Sequence, residues 1–410
     1  MNRLDLLPGT SRELARLNGW IVSAGLAGGR GSRLIDGYCR RLHEAGVPIQ
    51  RGNIAVDTLH PVLLGTSFIW SAEQGIEQRD YTRSEAEEAD ELWLRSPFYH
   101  AYESKQLRLR LRPGEPLAEG LPRFPILDEL AEAGATDYLV LLVPLKGEEA
   151  IGEFDMVYSS WTTQHPDGFS DPQLALIEGS LPTLCLALKS ILTRSITETL
   201  MQTYLGEDAG RRVLRGKIER GTAEAIEAVL WYSDLQGFTK IADTAPSETL
   251  LALLNDYAAC AVEAVRAQDG QVLKFVGDGI LAIFKLDEAG TACERALAAA
   301  DALLAGTADL RAQREAAGLP TSDVYLGLHL GEVLYGNVGS WDRLDFTVVG
   351  PAVNEVSRIE SLCRNLDQRV LISSEFCERS GAARGRLVSL GRYALRGVRE
   401  PQELFTLDLE

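Results

Sequence analysis

Several kinds of residue are scarce or badly placed for common functions. There are five histidines, and His43, His60 and His100 are scattered without metal-ligand spacing, so they read as surface or core residues rather than haem or zinc ligands. The six cysteines (Cys39, Cys185, Cys260, Cys293, Cys363 and Cys377) stand far apart with no Cys-x-x-Cys pair and no secretory leader before them. They read as reduced, mostly buried thiols, and the expected location is cytoplasmic. A basic excess is missing too: 41 Lys plus Arg face 59 Asp plus Glu, a net charge of −18. That argues against nucleic acid or an anionic membrane as the main partner. No apolar run approaches the roughly 20 residues of a membrane helix. The longest, Tyr138 to Leu145, is strand length and contains Pro144.

The 410 residues suffice for two or three domains. From Ser11 to about Ala45 the pattern is helical, broken by glycines between Gly25 and Gly31. Strand-like segments follow at Asn53 to Leu59, Leu63 to Trp70, Gln106 to Leu111, Tyr138 to Leu145 and Gly152 to Ser159. Helical stretches lie at Ser84 to Leu94 and Ile126 to Ala133. This α+β layout resembles a GAF-type sensory domain, without any diagnostic ligand motif, and is assigned to residues 1–185. Within it, Lys105 to Arg112 alternates strictly, so that three leucines face one way and the basic residues the other. An edge-protecting strand is the reading, ahead of an anion-binding surface.

After Pro172, Leu174, Ile177, Leu181, Leu184, Leu188 and Ile191 recur at steps of three and four, a seam able to pair with a copy of itself. Pro182 should break or kink the run, so a self-packed terminal helix competes with a dimer coil. A helical linker (186–222) ends in a Gly-punctuated basic connector, Gly206 to Gly221.

The last segment, 223–410, orders its elements as strand 226–233, helix 247–268, strands 271–276 and 280–284, helix 289–305 and strand 323–330. That is the ferredoxin-like βαββαβ unit. Gly277-Asp278-Gly279 between two apolar runs reads as a tight hairpin with a carboxylate at its tip. Asp234 ends another strand. Side by side the two would make a hard, oxygen-rich site suited to Mg²⁺ or Mn²⁺; a solvated turn and a helix cap are the plainer readings. Lys274, four residues before Asp278 on the same strand, is expected on the same face, and Asn354 and Arg358 share one face of a helix.

Four stretches, taken in order, resemble one family. Ser233-Asp234-Leu235-Gln236-Gly237-Phe238-Thr239, Lys274-Phe275-Val276-Gly277-Asp278-Gly279, Gly327 to Val333, and Asp345 to Arg358 are similar to the catalytic domain of class III nucleotidyl cyclases. The resemblance implies that Asp234 and Asp278 hold two Mg²⁺ or Mn²⁺ ions per active site. The turn Leu235, Gln236, Gly237, Phe238 and Thr239 would bind phosphates, with Arg396 as a further phosphate contact. Asn354 would orient the ribose, and Arg358 would offset charge at the α-phosphate. Lys274 and Thr347 would read the base. Lys274 matches adenylate cyclases, and Thr347 stands where many of them carry Asp.

The implied activity is ATP to 3′,5′-cyclic AMP and pyrophosphate by a head-to-tail homodimer, in which the aspartates of one chain meet the Lys, Thr, Asn and Arg of the other. An unidentified small-molecule or protein signal at the N-terminal domain would regulate it. Alternatives are a guanylate cyclase and a catalytically silent nucleotide-binding module.

Overall fold

Alternating burial along the strands explains why the N-terminal half layers as it does. The computed structural model describes residues 8–145, 156–287 and 290–408. The chain divides into two units, Met1–Leu200 and Met201–Glu410. The first contains α1 (Pro8–Ala27), α2 (Gly31–Glu44), β1 (Arg51–Asp57), β2 (Leu63–Ser71), β3 (Gly75–Thr82), α3 (Ala86–Leu94), α4 (Pro97–Glu103) and β4 (Arg108–Leu111). Next come α5 (Pro125–Glu132), β5 (Asp137–Pro144), β6 (Met156–Thr163) and α6 (Asp171–Leu205), whose last residues fall in the second unit. The expected strand from Gly152 is described only from Met156; residues 152–155 lie outside the described part, as does Ala289.

The strands form an antiparallel sheet in the order β3-β2-β1-β6-β5-β4. On β5, Leu139 and Leu141 pack with Ile21, Tyr38 and Leu181 from α1, α2 and α6. Tyr138, Val140 and Leu142 turn the other way, onto Phe98, Leu127 and Leu130. A two-residue period thus buries both faces.

Two expectations need correction here. Leu107 does not share the buried face of Leu109 and Leu111: it is 52% exposed, because β4 begins one residue later. The basic residues of β4 are paired, Arg108 with Glu178 at 2.8 Å and Arg110 with Asp137 at 2.6 Å. Pro182 does not break its helix either, since α6 runs unbroken for 35 residues with Pro182 on the exposed side. All six seam residues are buried in the first unit's own core. At about 1.5–3 kcal/mol per buried side chain they outweigh the roughly 3 kcal/mol cost of an interior proline. The seam is therefore the self-packed alternative, not a free dimer coil. By length and composition α6 could cross a membrane, yet most of its apolar window is buried in protein.

The second unit opens with α7 (Glu207–Leu214), β7 (Ala223–Leu235), α8 (Phe238–Ala242), α9 (Ser247–Arg266), β8 (Gln271–Val276), β9 (Gly279–Lys285), α10 (Ala292–Ala316) and β10 (Val324–Gly339). It closes with β11 (Leu344–Val349), α11 (Pro351–Ser361), α12 (Cys363–Leu366), β12 (Val370–Ser373), α13 (Ser374–Glu378), β13 (Leu387–Tyr393) and β14 (Gln402–Leu407). Its sheet runs β13-β14-β12-β10-β7-β9-β8, with β11 paired to β10. The stretch β10-β7-β9-β8, connected through α9 and α10, is the expected βαββαβ unit. Helices α9 and α10 cover one face, Tyr257 and Leu297 packing on Trp231 and Phe284. The other face is covered by α11, through Ala352 and Val356 on Leu230 and Leu281.

The basic connector is not a loose tether. Asp208 on α7 accepts hydrogen bonds from Lys285 Nζ (2.9 Å) and Tyr335 Oη (3.0 Å). Arg212 bridges Asp208 and Glu224 at 2.9 and 2.7 Å.

Candidate active site

The end of β7 is pinned from its buried side. Ser233 Oγ accepts hydrogen bonds from Trp231 Nε1 (3.0 Å) and Tyr257 Oη (2.8 Å), each contributing about 1 kcal/mol. Alternation then sends Asp234 to the opposite face, where the Leu235 amide donates to its Oδ1 at 2.9 Å. Strands β8 and β9 meet in a two-residue turn, Gly277-Asp278, closed by the Val276–Gly279 pair. Gly277 has φ +66°, as a glycine-first hairpin needs. The strand ends at Val276, so Lys274 and Asp278 do not share a strand face, and the expected alternation stops at the turn.

Tyr232 draws this hairpin tip against β7. Its hydroxyl lies 2.7 Å from where a Cβ on Gly279 would be, a gap that only glycine leaves open. The carboxyls of Asp234 and Asp278 are thereby brought into hydrogen-bond contact. Burial, that hydrogen bond and the charge of Asp278 push the Asp234 carboxyl up to about 8, so the pair retains a proton near neutrality.

Such a pair fits a divalent cation. Among the described residues no group of three or more His, Cys, Asp or Glu is placed to hold a metal by itself. Mg²⁺ rarely demands that: one or two carboxylates, completed by phosphate oxygens and water, are its usual protein share. The adjacent oxygens of Asp234 and Asp278, once their shared proton is lost, would supply that share. Sequence reasoning missed Glu360, buried on α11, whose carboxyl burial and Asp278 push up to about 7. In the sequence it is one more polar residue on an amphipathic helix.

The expected phosphate turn divides in two. The amides of Leu235 and Gln236 are already used, by Asp234 Oδ1 and by the Asp323 carbonyl (2.8 Å). Among the described residues those of Gly237, Phe238 and Thr239 carry no hydrogen bond. A Cβ on Gly237 would meet nothing within 4 Å, and its φ is +70°.

The remaining candidates sit elsewhere on the unit. Phe346 and Val348 share one apolar cluster, so Thr347 between them points to the other side; on β8 a bulge at Leu273 interrupts the alternation, and Lys274 pairs with Leu281. Lys274 is exposed. Thr347 is 7% exposed, and its hydroxyl has no hydrogen-bond partner. On α11, Asn354 is exposed and Arg358 half-buried. The Arg358 guanidinium lies 3.4 Å from where a Cβ on Gly397 would be, so it packs against the turn that carries exposed Arg396. Among the described residues no hydrogen bond or ion pair joins Asp234 or Asp278 to Lys274, Thr347, Asn354, Arg358 or Arg396. Nearby, Leu334 and Val349 face each other in register and are 51% and 43% exposed.

Residues 222–408 match the family model of the adenylate and guanylate cyclase catalytic domain. The match takes in most of the second unit. The chain is 33% identical over 156 residues to the adenylate cyclase of Anabaena cylindrica, covering 38% of this chain and 31% of that protein. It is 31% identical over 188 residues to adenylate cyclase 1 of Rhizobium meliloti, covering 42% and 28%. The chain spans about a third of the length of the curated relatives it matches. Among solved structures, the adenylyl cyclase CyaB from P. aeruginosa is similar at 25% identity and TM-score 0.42, covering 46% of this chain and 97% of that one. The guanylyl cyclase Cya2 is similar at 26% identity and TM-score 0.40, covering 46% and 95%.

Proposed function

We propose that the chain is an adenylate cyclase, a phosphorus–oxygen lyase that converts ATP to 3′,5′-cyclic AMP and pyrophosphate at the composite sites of a head-to-tail homodimer. The observation that carries this reading is the contact between the carboxyls of Asp234 and Asp278 at two converging strand ends. Two Mg²⁺ or Mn²⁺ ions held there with the nucleotide would lower the pKa of the ribose 3′-hydroxyl and offset triphosphate charge.

The chain's own groups do the rest. The 3′-oxygen bonds to the α-phosphorus as the bond to the β-phosphate oxygen breaks. Gly237, Phe238 and Thr239 offer free amides to terminal phosphates. Asn354 orients the ribose, while Arg358, with Arg396 beside it, meets charge developing at the α-phosphate. Lys274 and the unpartnered Thr347 hydroxyl face the adenine. The exposed apolar pair Leu334 and Val349 suits burial against a second copy.

The GAF-like sensory domain of this reading supplies the input. The first unit holds a cavity of about 700 Å³, lined in part by Asn53, Asp90, Trp93, Phe98, Tyr102 and Tyr158, large enough for a small-molecule signal. A cytoplasmic location fits six unpaired cysteines.

Pyrophosphate release from ATP and from GTP with Mn²⁺ tests the assignment. Turnover of ATP is expected to dominate. Preference for GTP would favour the guanylate reading, to which a Thr347 hydroxyl is less hostile than a carboxylate. Nucleotide binding without pyrophosphate would favour a silent module. Mixing the Asp234→Ala and Arg358→Ala proteins should restore about a quarter of wild-type activity, because the mixed dimer keeps one intact site. No recovery would defeat the composite site.

A further inference from the structure

We propose that Glu360 is a positioning residue that links the Asp234–Asp278 pair to the helix carrying Asn354 and Arg358, so that a divalent cation on the pair fixes where that helix sits. The role of Asn354 and Arg358 rests on the cyclase reading. The cation half rests on geometry alone.

Glu360 is 7% exposed. Among the described residues no hydrogen bond or ion pair satisfies its carboxyl, whereas buried carboxylates are ordinarily paired. Its place is set by unusually close packing. A Cβ on Gly327 would lie 2.7 Å from the Val356 carbonyl oxygen and 2.9 Å from both the amide nitrogen and the Cβ of Glu360, so α11 rests directly on the β10 backbone. Gly327 stands opposite Tyr232 in the β10–β7 register, and Asp234, two residues on, shares that face. Tyr232 in turn abuts Gly279, beside Asp278.

Three acidic groups near one half-buried spot leave the site short of positive charge: the charged groups that act on Asp234 and Glu360 are all carboxyls. Glu360 follows Arg358 by two residues, about 200° around the helix. Its carboxyl therefore faces the sheet while Arg358 faces the Gly397 turn. A cation drawn to Asp234 and Asp278 would pull on Glu360 through its charge or a bound water, and so on the helix that presents Asn354 and Arg358. In a head-to-tail dimer those two residues serve the other site, so filling one site would set the geometry of its neighbour.

The test uses the full chain and Glu360→Gln, which keeps shape and removes charge. Mn²⁺ binding to the nucleotide-free protein is measured by calorimetry, the unfolding midpoint in EDTA by circular dichroism, and kcat and KM at saturating Mn²⁺. The expected result is Mn²⁺ affinity weakened about tenfold or more, a metal-free midpoint equal to or above wild type, and kcat lowered about tenfold with KM unchanged. Mn²⁺ affinity within twofold of wild type overturns the proposal. So does a lower metal-free midpoint with affinity and kcat falling together, the mark of a merely structural residue. Glu360→Asp gives an independent check: retained Mn²⁺ affinity with reduced kcat supports the link, while equal loss in both variants refutes it. A wild-type protein that binds Mn²⁺ but releases no pyrophosphate would sink the cyclase reading and leave the cation half standing.

Discussion

In the first unit Asp137 is fully buried, and the chain closes the account itself. Arg110 donates to both its oxygens, Nε to Oδ1 at 3.0 Å and Nη2 to Oδ2 at 2.6 Å, and the Phe169 amide donates to Oδ2 at 2.8 Å. In the second unit half-buried Asp234 faces another carboxyl, and Glu360 lies behind it. One arrangement is complete as folded and the other lacks a counter-charge. Burial alone therefore does not tell a structural acid from a candidate functional one here; what faces it does.

Four experiments press on that difference. Asp234→Ala or Asp278→Ala should lower kcat by about 10³-fold or more, on the order of 4 kcal/mol of barrier, while the metal-free unfolding midpoint stays level or rises. A drop in that midpoint would make the pair structural after all. Arg110→Ala should do the reverse: about 3 kcal/mol of stability lost in urea titration, as for any buried ion pair stripped of one partner, with the nucleotide KM unchanged. Arg358→Ala is expected to lower kcat about 10²-fold with nucleotide affinity nearly intact, read from single-turnover and binding measurements.

The smallest effect concerns an intermediate case, His329. Its ring lies 3.4 Å from Glu355 and 3.8 Å from Glu375 and is held by Ser373 at 2.9 Å. Burial lowers its pKa, and the two glutamates only partly offset this. The unfolded chain then binds more protons near the ordinary histidine value, so His329's contribution is present above about pH 6.5 and is lost as pH falls below it. Comparing urea midpoints at pH 7.5 and 5.5 for wild type and His329→Gln checks this. Equal pH dependence in both would exclude the histidine.

Patterns that live on a single strand or turn were legible. Gly277-Asp278-Gly279 showed the hairpin, and the sequence of periodicities showed βαββαβ. Elements without a periodic apolar face were not. Strand β3 has a polar centre, Glu77 to Asp80, exposed at the sheet edge, and reads as loop. Helix α4 is short, although Ser96 capping the Tyr99 amide ahead of Pro97 was an available signal. Pro182 reads as a helix breaker because its local cost is visible in the sequence and the burial that opposes it is not. Glu360 and the docking of Asp208 depend on which elements meet, which no local pattern records.

The hairpin tip has one more consequence. A loop of two residues has no slack with which to recruit further oxygens, so its carboxylate cannot follow an ion that wants a wide, adaptable cage. Calcium, which takes roughly six to eight oxygen ligands at longer range, would be an occupant without the right fit. On the cyclase reading, small hexahydrate-forming ions would be the ones this unyielding corner suits.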